Sequence, residues 1–113
     1  MKNIGISDKV LNDWIKDKDY ITVTDEAEAV GIAGGLYLAT GEYSTVFMSS
    51  DGFMNAMNFL TSWVIPEDIP MHFVISYGRT EKPHYVASDL LEDLVLILDT
   101  YDAKNLSFQL IRK

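Results

Sequence analysis

The chain has 113 residues, 48% of them hydrophobic and 23% charged, with no Cys. That is enough for one α/β unit, taken as a single domain over 1–113, and it leaves no disulfide framework or thiolate metal site. A formal charge of −8, from 17 acidic and 9 basic residues, repels polyanions and excludes nucleic acid as an expected partner. No apolar run reaches the length of a membrane span, and Met1 to Trp14 lack the apolar core of a secretion signal. The expectation is therefore a cytoplasmic chain with no membrane partner.

In chain order, Ser7 reads as the cap of a first amphipathic helix with Val10, Leu11, Trp14 and Ile15 on its apolar face. Ile21 to Thr24 reads as the first strand. It turns through Asp25 into a helix over residues 26–40 that carries Glu26 at its mouth and is otherwise small or apolar, with Glu28 the one further charge. Such a helix has no polar face for solvent. Gly31 and Gly35, one turn apart, each weaken it by roughly 1 kcal/mol relative to Ala, which points to close approach of another backbone. Two placements are open, a central helix packed inside the domain or a buried subunit interface. Gly41 then ends the helix.

Thr45 to Met48 is a continuous apolar run of the kind buried on both faces of a parallel sheet. Ser49-Ser50-Asp51-Gly52 follows and opens a helix with Phe53, Ala56, Met57, Leu60 and Val64 on its core face and Pro66 beyond its end. Ile69 to Tyr77 is the next strand, with His72 inside it as a packed or half-exposed strand residue. Gly78 to His84 is the loop at its exit. Ser88 reads as the cap of a last helix, with Leu90, Leu91, Leu94, Val95 and Leu98 buried. Leu106 to Leu110 alternates as a half-exposed edge strand closed by Arg112 and Lys113. Strand and helix patterns alternating at this pitch predict a three-layer α/β/α fold with a mainly parallel sheet. A carboxylate at a strand-to-helix junction, such as Glu26, lies where such folds bind ligands; it also compensates the helix dipole.

The segment Asp25-Glu26-Ala27-Glu28-Ala29-Val30-Gly31-Ile32-Ala33-Gly34-Gly35, running on to Ala39-Thr40-Gly41, resembles the pyrimidine-binding domain of thiamine-diphosphate enzymes. The resemblance is closest to the phosphonopyruvate decarboxylases and the α-subunit of sulfopyruvate decarboxylase. There an acidic residue precedes an Ala- and Gly-rich helix ending in Ala-Thr-Gly, and Glu26, not Glu28, falls at the cofactor glutamate. Further matches support it. Gly5-Ile6-Ser7-Asp8-Lys9-Val10-Leu11 is similar to an opening Gly-Val-Pro-Asp-Ser-Leu-Leu, and Ile69-Pro70-Met71 to an Ile-Pro-Met segment. In the stretch opened by Gln-Asn-Ser-Gly in the relatives, Gly52, Asn55, Ala56, Asn58 and Leu60 match, whereas Ser49, Ser50, Asp51 and Phe59 depart.

The resemblance implies a role for each of these. Glu26 is the catalytic carboxylate that hydrogen-bonds the aminopyrimidine ring of thiamine diphosphate, and Gly52, Phe53 and Asn55 join it in cofactor binding. Asp8, Ser49, Ser50, Arg79 and His84 border the substrate pocket, although Asp8 also suits the first turn of its helix and Asn55 and Asn58 a solvated helix stripe. No metal site is expected in this chain. Magnesium, which wants oxygen ligands, and the cofactor diphosphate belong to a second, diphosphate-binding subunit with a Gly-Asp-Gly motif absent here. The chain thus resembles the pyrimidine-binding subunit of a split 2-oxo acid decarboxylase, associating as a homodimer or hetero-oligomer through residues 26–40. A noncatalytic interaction domain of the same fold, or a small flavodoxin-like ligand or signal module, is the competing reading.

Overall fold

Short β-branched and aromatic runs bounded by turn residues form the strands, and longer segments of helical period pack on them. In the computed structural model, which describes residues 2–78, 85–102 and 105–113, the strands are β1 (Asn3–Gly5), β2 (Ile21–Thr22), β3 (Thr45–Ser49), β4 (Met71–Tyr77) and β5 (Leu106–Arg112). They form one all-parallel sheet in the order β2-β1-β3-β4-β5. Between them run α1 (Lys9–Ile15), α2 (Glu26–Thr40), the short helices α3 (Ser50–Asn55) and α4 (Met57–Phe59) with a π-helical turn Leu60–Val64, and α5 (Tyr85–Asp102). The architecture is the expected three-layer α/β/α sandwich around a parallel sheet.

Its two outer layers are unequal. Leu11 and Ile15 of α1 pack with Phe47 and Val74 on one face of the sheet. Ala29, Val30 and Ala33 of α2, Phe53 of α3, Leu60 and Val64 of the π turn, and Leu91 and Leu98 of α5 pack on the other. Helices α2, α3 and α5 and the π turn therefore cover one face and a single short helix the other. Strands buried on both sides read as unbroken apolar runs, and β3 and β4 do so through Val46-Phe47-Met48 and Phe73-Val74-Ile75, all buried. Where α1 does not reach, β5 shows solvent the exposed Ser107 and Gln109 while Phe108 and Leu110 face the larger core.

Several expectations are corrected. The sheet begins with β1, which Asn3-Ile4-Gly5 forms although three residues carry no periodic signal. Asp8, not Ser7, caps α1, accepting from the Val10 and Leu11 N–H groups at 3.0 and 2.8 Å, while the Ser7 hydroxyl donates to Asn12 Oδ1 at 2.6 Å. The single helix expected from Phe53 to Val64 is broken at Ala56 and widened into the π turn. Ser88 lies one turn inside α5. Its buried hydroxyl is 2.5 Å from both the N–H and the carbonyl of Gly78, so it ties the helix to the exit of β4 instead of capping it. Gly41 does end α2, at φ 79° with its N–H donating to the Tyr37 carbonyl.

Among the described residues the close approach expected at Gly31 and Gly35 is absent, since a Cβ on either would meet nothing within 4 Å. It falls on Gly34, where a Cβ would lie 2.5 Å from the Trp63 ring. The widened turn carries Trp63 to that contact. The other side of α2, with Ile32, Gly35, Leu38 and Ala39, is exposed, Leu38 at 63%.

Candidate functional site

All five strands point the same way, so their carboxyl ends form one edge, and strand order reverses between β1 and β3. In doubly wound sheets ligands bind outside that edge at such a point. Onto it the sequence delivers Asp8 after β1, Asp25 and Glu26 after β2, Ser49 to Asp51 after β3, and Ser76 at the end of β4.

The helix start sorts the three acidic residues of 25–28 into different tasks. Asp25 is the N-cap, accepting from the Ala27 N–H at 2.7 Å. Glu28 reaches back to accept from the Thr24 N–H at 3.1 Å, a reciprocal arrangement akin to a capping box. Both carboxylates are thereby held by backbone. Glu26, half-buried, turns instead toward α3. Its Oε1 accepts from Asn55 Nδ2 at 3.1 Å, and the same amide nitrogen lies 3.2 Å from Asp25 Oδ1. Its carboxyl end rests on Gly52. A Cβ on that residue would lie 2.5 Å from Oε2, 2.6 Å from Cγ and 2.7 Å from Cδ. Gly52 and Asn55, spaced by one turn of α3, thus form a seat and a clamp for a carboxylate that arrives from α2.

Phe53 occupies a different place. Its ring is fully buried, edge-on to Phe73 and Phe108 at centroid distances of 5.4 and 5.9 Å, so its side chain holds α3 to the sheet. Ser49 caps α3, accepting from the Gly52 N–H at 3.4 Å and donating to Asp51 Oδ1 at 3.3 Å. Ser50 is buried at the first position of α3. Asp8, besides capping α1, accepts at Oδ2 from the buried Ser76 hydroxyl and lies 3.8 Å from Lys113 Nζ. Ser76 and Lys113 were not singled out from sequence. A serine at a strand exit is a usable signal, but nothing local marks a lysine that arrives from the end of β5. Arg79 and His84 lie outside the described residues.

A cavity of about 270 Å³ opens on the same edge, lined by Tyr77, Gly78, Asp89, Glu92 and Arg112, with the guanidinium 5.5 Å from the Tyr77 ring centre. A larger one, about 470 Å³, is lined by Lys2, Asn3, Asp19, Tyr20, Ile21 and Glu42 beside the edge strand β2. It contains none of the carboxyl-edge carboxylates, and the chemistry of the first edge outweighs its size. Among the described residues no group of three or more His, Asp or Glu side chains is arranged to hold a metal ion. No helix among them is long and apolar enough to cross a membrane.

His72 stands apart from this edge, half-buried near the start of β4, with Nδ1 2.6 Å from Ser107 Oγ. Burial lowers its pKa below the ordinary 6.5. As pH falls through 6.5, the unfolded chain takes up the proton first, so more protons bind the unfolded state and stability declines. His72→Gln is expected to flatten that decline, as urea denaturation of both proteins at about pH 7.5 and about pH 5.5 will show.

No protein-family model matches the chain. It is 31% identical to a phosphonopyruvate decarboxylase of Streptomyces viridochromogenes over 106 residues, covering 82% of this chain and 26% of that protein. It is 37% identical to a sulfopyruvate decarboxylase subunit alpha of Methanococcus maripaludis over 70 residues, covering 60% of this chain and 41% of that subunit. The matched stretches therefore span about a quarter of the first relative and about two fifths of the second.

Proposed function

We propose that this chain, related in sequence to phosphonopyruvate and sulfopyruvate decarboxylases, is the pyrimidine-binding part of a thiamine-diphosphate-dependent 2-oxo acid decarboxylase. In this reading it acts with a separate chain that holds the diphosphate and magnesium. One observation carries the proposal: Glu26 is half-buried at the carboxyl edge, seated on Gly52 and clamped by Asn55, apart from the two neighbouring acids that cap its helix. The residues present fit the pyrimidine end of the cofactor. A carboxylate is presented beside a glycine where any Cβ would displace it, so the seat is shaped for this one group.

Thiamine diphosphate, when bound, supplies the electron sink that decarboxylation of a 2-oxo acid requires. The work of this chain is to hold and share a proton at the Glu26 carboxyl. Asn55 fixes the orientation by donating to Oε1, and its contact with Asp25 ties the clamp to the start of α2. Asp8, Ser49 and Ser50 lie on the same edge, and a small anionic 2-oxo acid is proposed to lie among them. The exposed small-residue side of α2, open at Gly31 and Gly35, is the surface assigned to the second subunit.

The test is the assembly isolated from its native source, assayed for carbon dioxide release from phosphonopyruvate and sulfopyruvate with and without thiamine diphosphate and magnesium. Gly52→Ala sharpens it. Glu26 is the movable party to the clash, and Ala favours a helix over Gly by roughly 1 kcal/mol, so stability is expected to be kept or raised. Turnover is expected to fall by at least about tenfold, because a small misplacement of a catalytic group is costly. Unchanged turnover in that variant would remove the Gly52 seat from the chemistry, and no cofactor-dependent release from either acid favours the noncatalytic reading.

A further inference from the structure

A small anionic substrate lying among Asp8, Ser49 and Ser50 needs a cation, and strand register shows where one comes from. Ser49 of β3 pairs with Ser76 of β4, and Ser76 pairs with Ile111 of β5. Side chains alternate along a strand, so both serines and Ile111 share the sheet face on which Phe47 and Val74 pack against α1. Lys113, two residues beyond Ile111, follows on that face. Its Nζ lies 3.8 Å from Asp8 Oδ2 with the side chain 29% exposed, and its N–H donates to the Tyr77 carbonyl at 2.7 Å.

Asp8 does not consume that charge. Its Oδ1 accepts from the Val10 and Leu11 N–H groups and its Oδ2 from the Ser76 hydroxyl, so the carboxylate stays held whether or not the ammonium is beside it. A separation of 3.8 Å is too long for a hydrogen bond, and an ammonium has three protons to donate. Lys113 is thus kept near Asp8 yet able to turn to another anion. Among the described residues the other cations are placed differently. Arg112 points to the opposite face, against the Tyr77 ring and beside Asp89 and Glu92. Lys2 lies at the amino end of β1, and Lys16 and Lys18 lie at the far end of α1. Lys9 is exposed at the first position of α1. Asp8, Asp25 and Glu26 at the edge would repel a substrate with two acid groups unless a cation met one of them.

We propose that Lys113 is a specificity-determining residue that receives the second acid group of the 2-oxo acid, a phosphonate or sulfonate, beside Ser49 and Ser76. The identity of the substrate rests on the decarboxylase reading above; capture of a tetrahedral anion at Lys113 does not.

The first probe is 3-phosphonopropanoate, which has both acid groups and no oxo group, titrated by calorimetry against the full chain together with any partner that co-purifies with it. Saturable binding is expected, weakened at least about tenfold by Lys113→Met, the scale of one charge-assisted hydrogen bond. Met keeps the apolar stem of the side chain, and circular dichroism confirms that the variant is folded. Lys113→Arg is expected to restore most of the affinity, and Lys9→Met, which removes an equal charge next to Asp8, to change it less than about twofold. The second measurement is turnover, where Lys113→Met is expected to lower kcat/KM for phosphonopyruvate or sulfopyruvate relative to that for pyruvate at least about tenfold. Lys113-dependent binding without turnover of any of these acids would remove the decarboxylase reading and keep the anion site. No saturable binding, an equal loss with Lys9→Met, or turnover whose preference is unmoved by Lys113→Met would each overturn the assignment of Lys113.

Discussion

Glu26→Gln is expected, on the function proposed above, to slow proton exchange at the thiazolium carbon of thiamine diphosphate bound to the assembly by about a hundredfold or more, the scale of a lost acid-base group. Proton exchange followed by NMR after rapid quenching reads this directly. Size and shape are preserved, and Gln can still accept from Asn55 through its carbonyl oxygen, so the clamp remains. What disappears is the ability to share a proton. Melting and cofactor affinity should therefore change little while exchange and turnover fall together. Unchanged exchange in a variant that still binds cofactor would remove Glu26 from the chemistry and leave the fold as it is.

The second large effect is structural. Phe53→Ala is expected to cost about 3–5 kcal/mol, the usual range for deleting a buried aromatic ring. Phe53, Phe73 and Phe108 form a mutually contacting trio, with Phe73 and Phe108 stacked at 5.5 Å and Phe53 edge-on to both. Ring contacts of this kind contribute about 0.5–1.5 kcal/mol beyond their area. The trio fastens α3, and hence Gly52 and Asn55, to β4 and β5. A protein with the common stability of about 5–15 kcal/mol loses a large fraction of it, and urea denaturation will measure how much. Phe53→Leu, which refills most of the volume, is expected to recover more than half of the loss.

What could be read in the sequence followed from how local each signal is. The buried strand Thr45–Ser49 was visible because parallel strands need apolar residues on both faces, and α2 because a cap, an unbroken helical segment and a terminal glycine agree. β1 was not, since its place depends on pairing with Ile21-Thr22 and with Thr45 to Phe47, far along the chain. The π turn was hidden for a related reason. Phe53, Ala56, Met57, Leu60 and Val64 fit one continuous helix, and the fit of Trp63 against Gly34 has no local signature. At the site, the strand-to-helix junction picked out Glu26 by position and the family resemblance gave it a role. Its hold by Asn55, 29 residues away, is a tertiary fact. Asp8 shows the opposite case, where a residue marked by resemblance also caps a helix and binds Ser76 and Lys113.

Among the described residues the sheet contains no hairpin, because every pair of neighbouring strands is parallel. No two strands can meet until a helix-length connection has been made between them, and β1 gains its second neighbour only once the chain has grown past Thr45. Assembly of this molecule is consequently a matter of long loops closing together, slow beside a helical bundle of equal size. A nascent chain that has not yet grown past β3 would carry Glu26 without the glycine it rests on and the amide that clamps it.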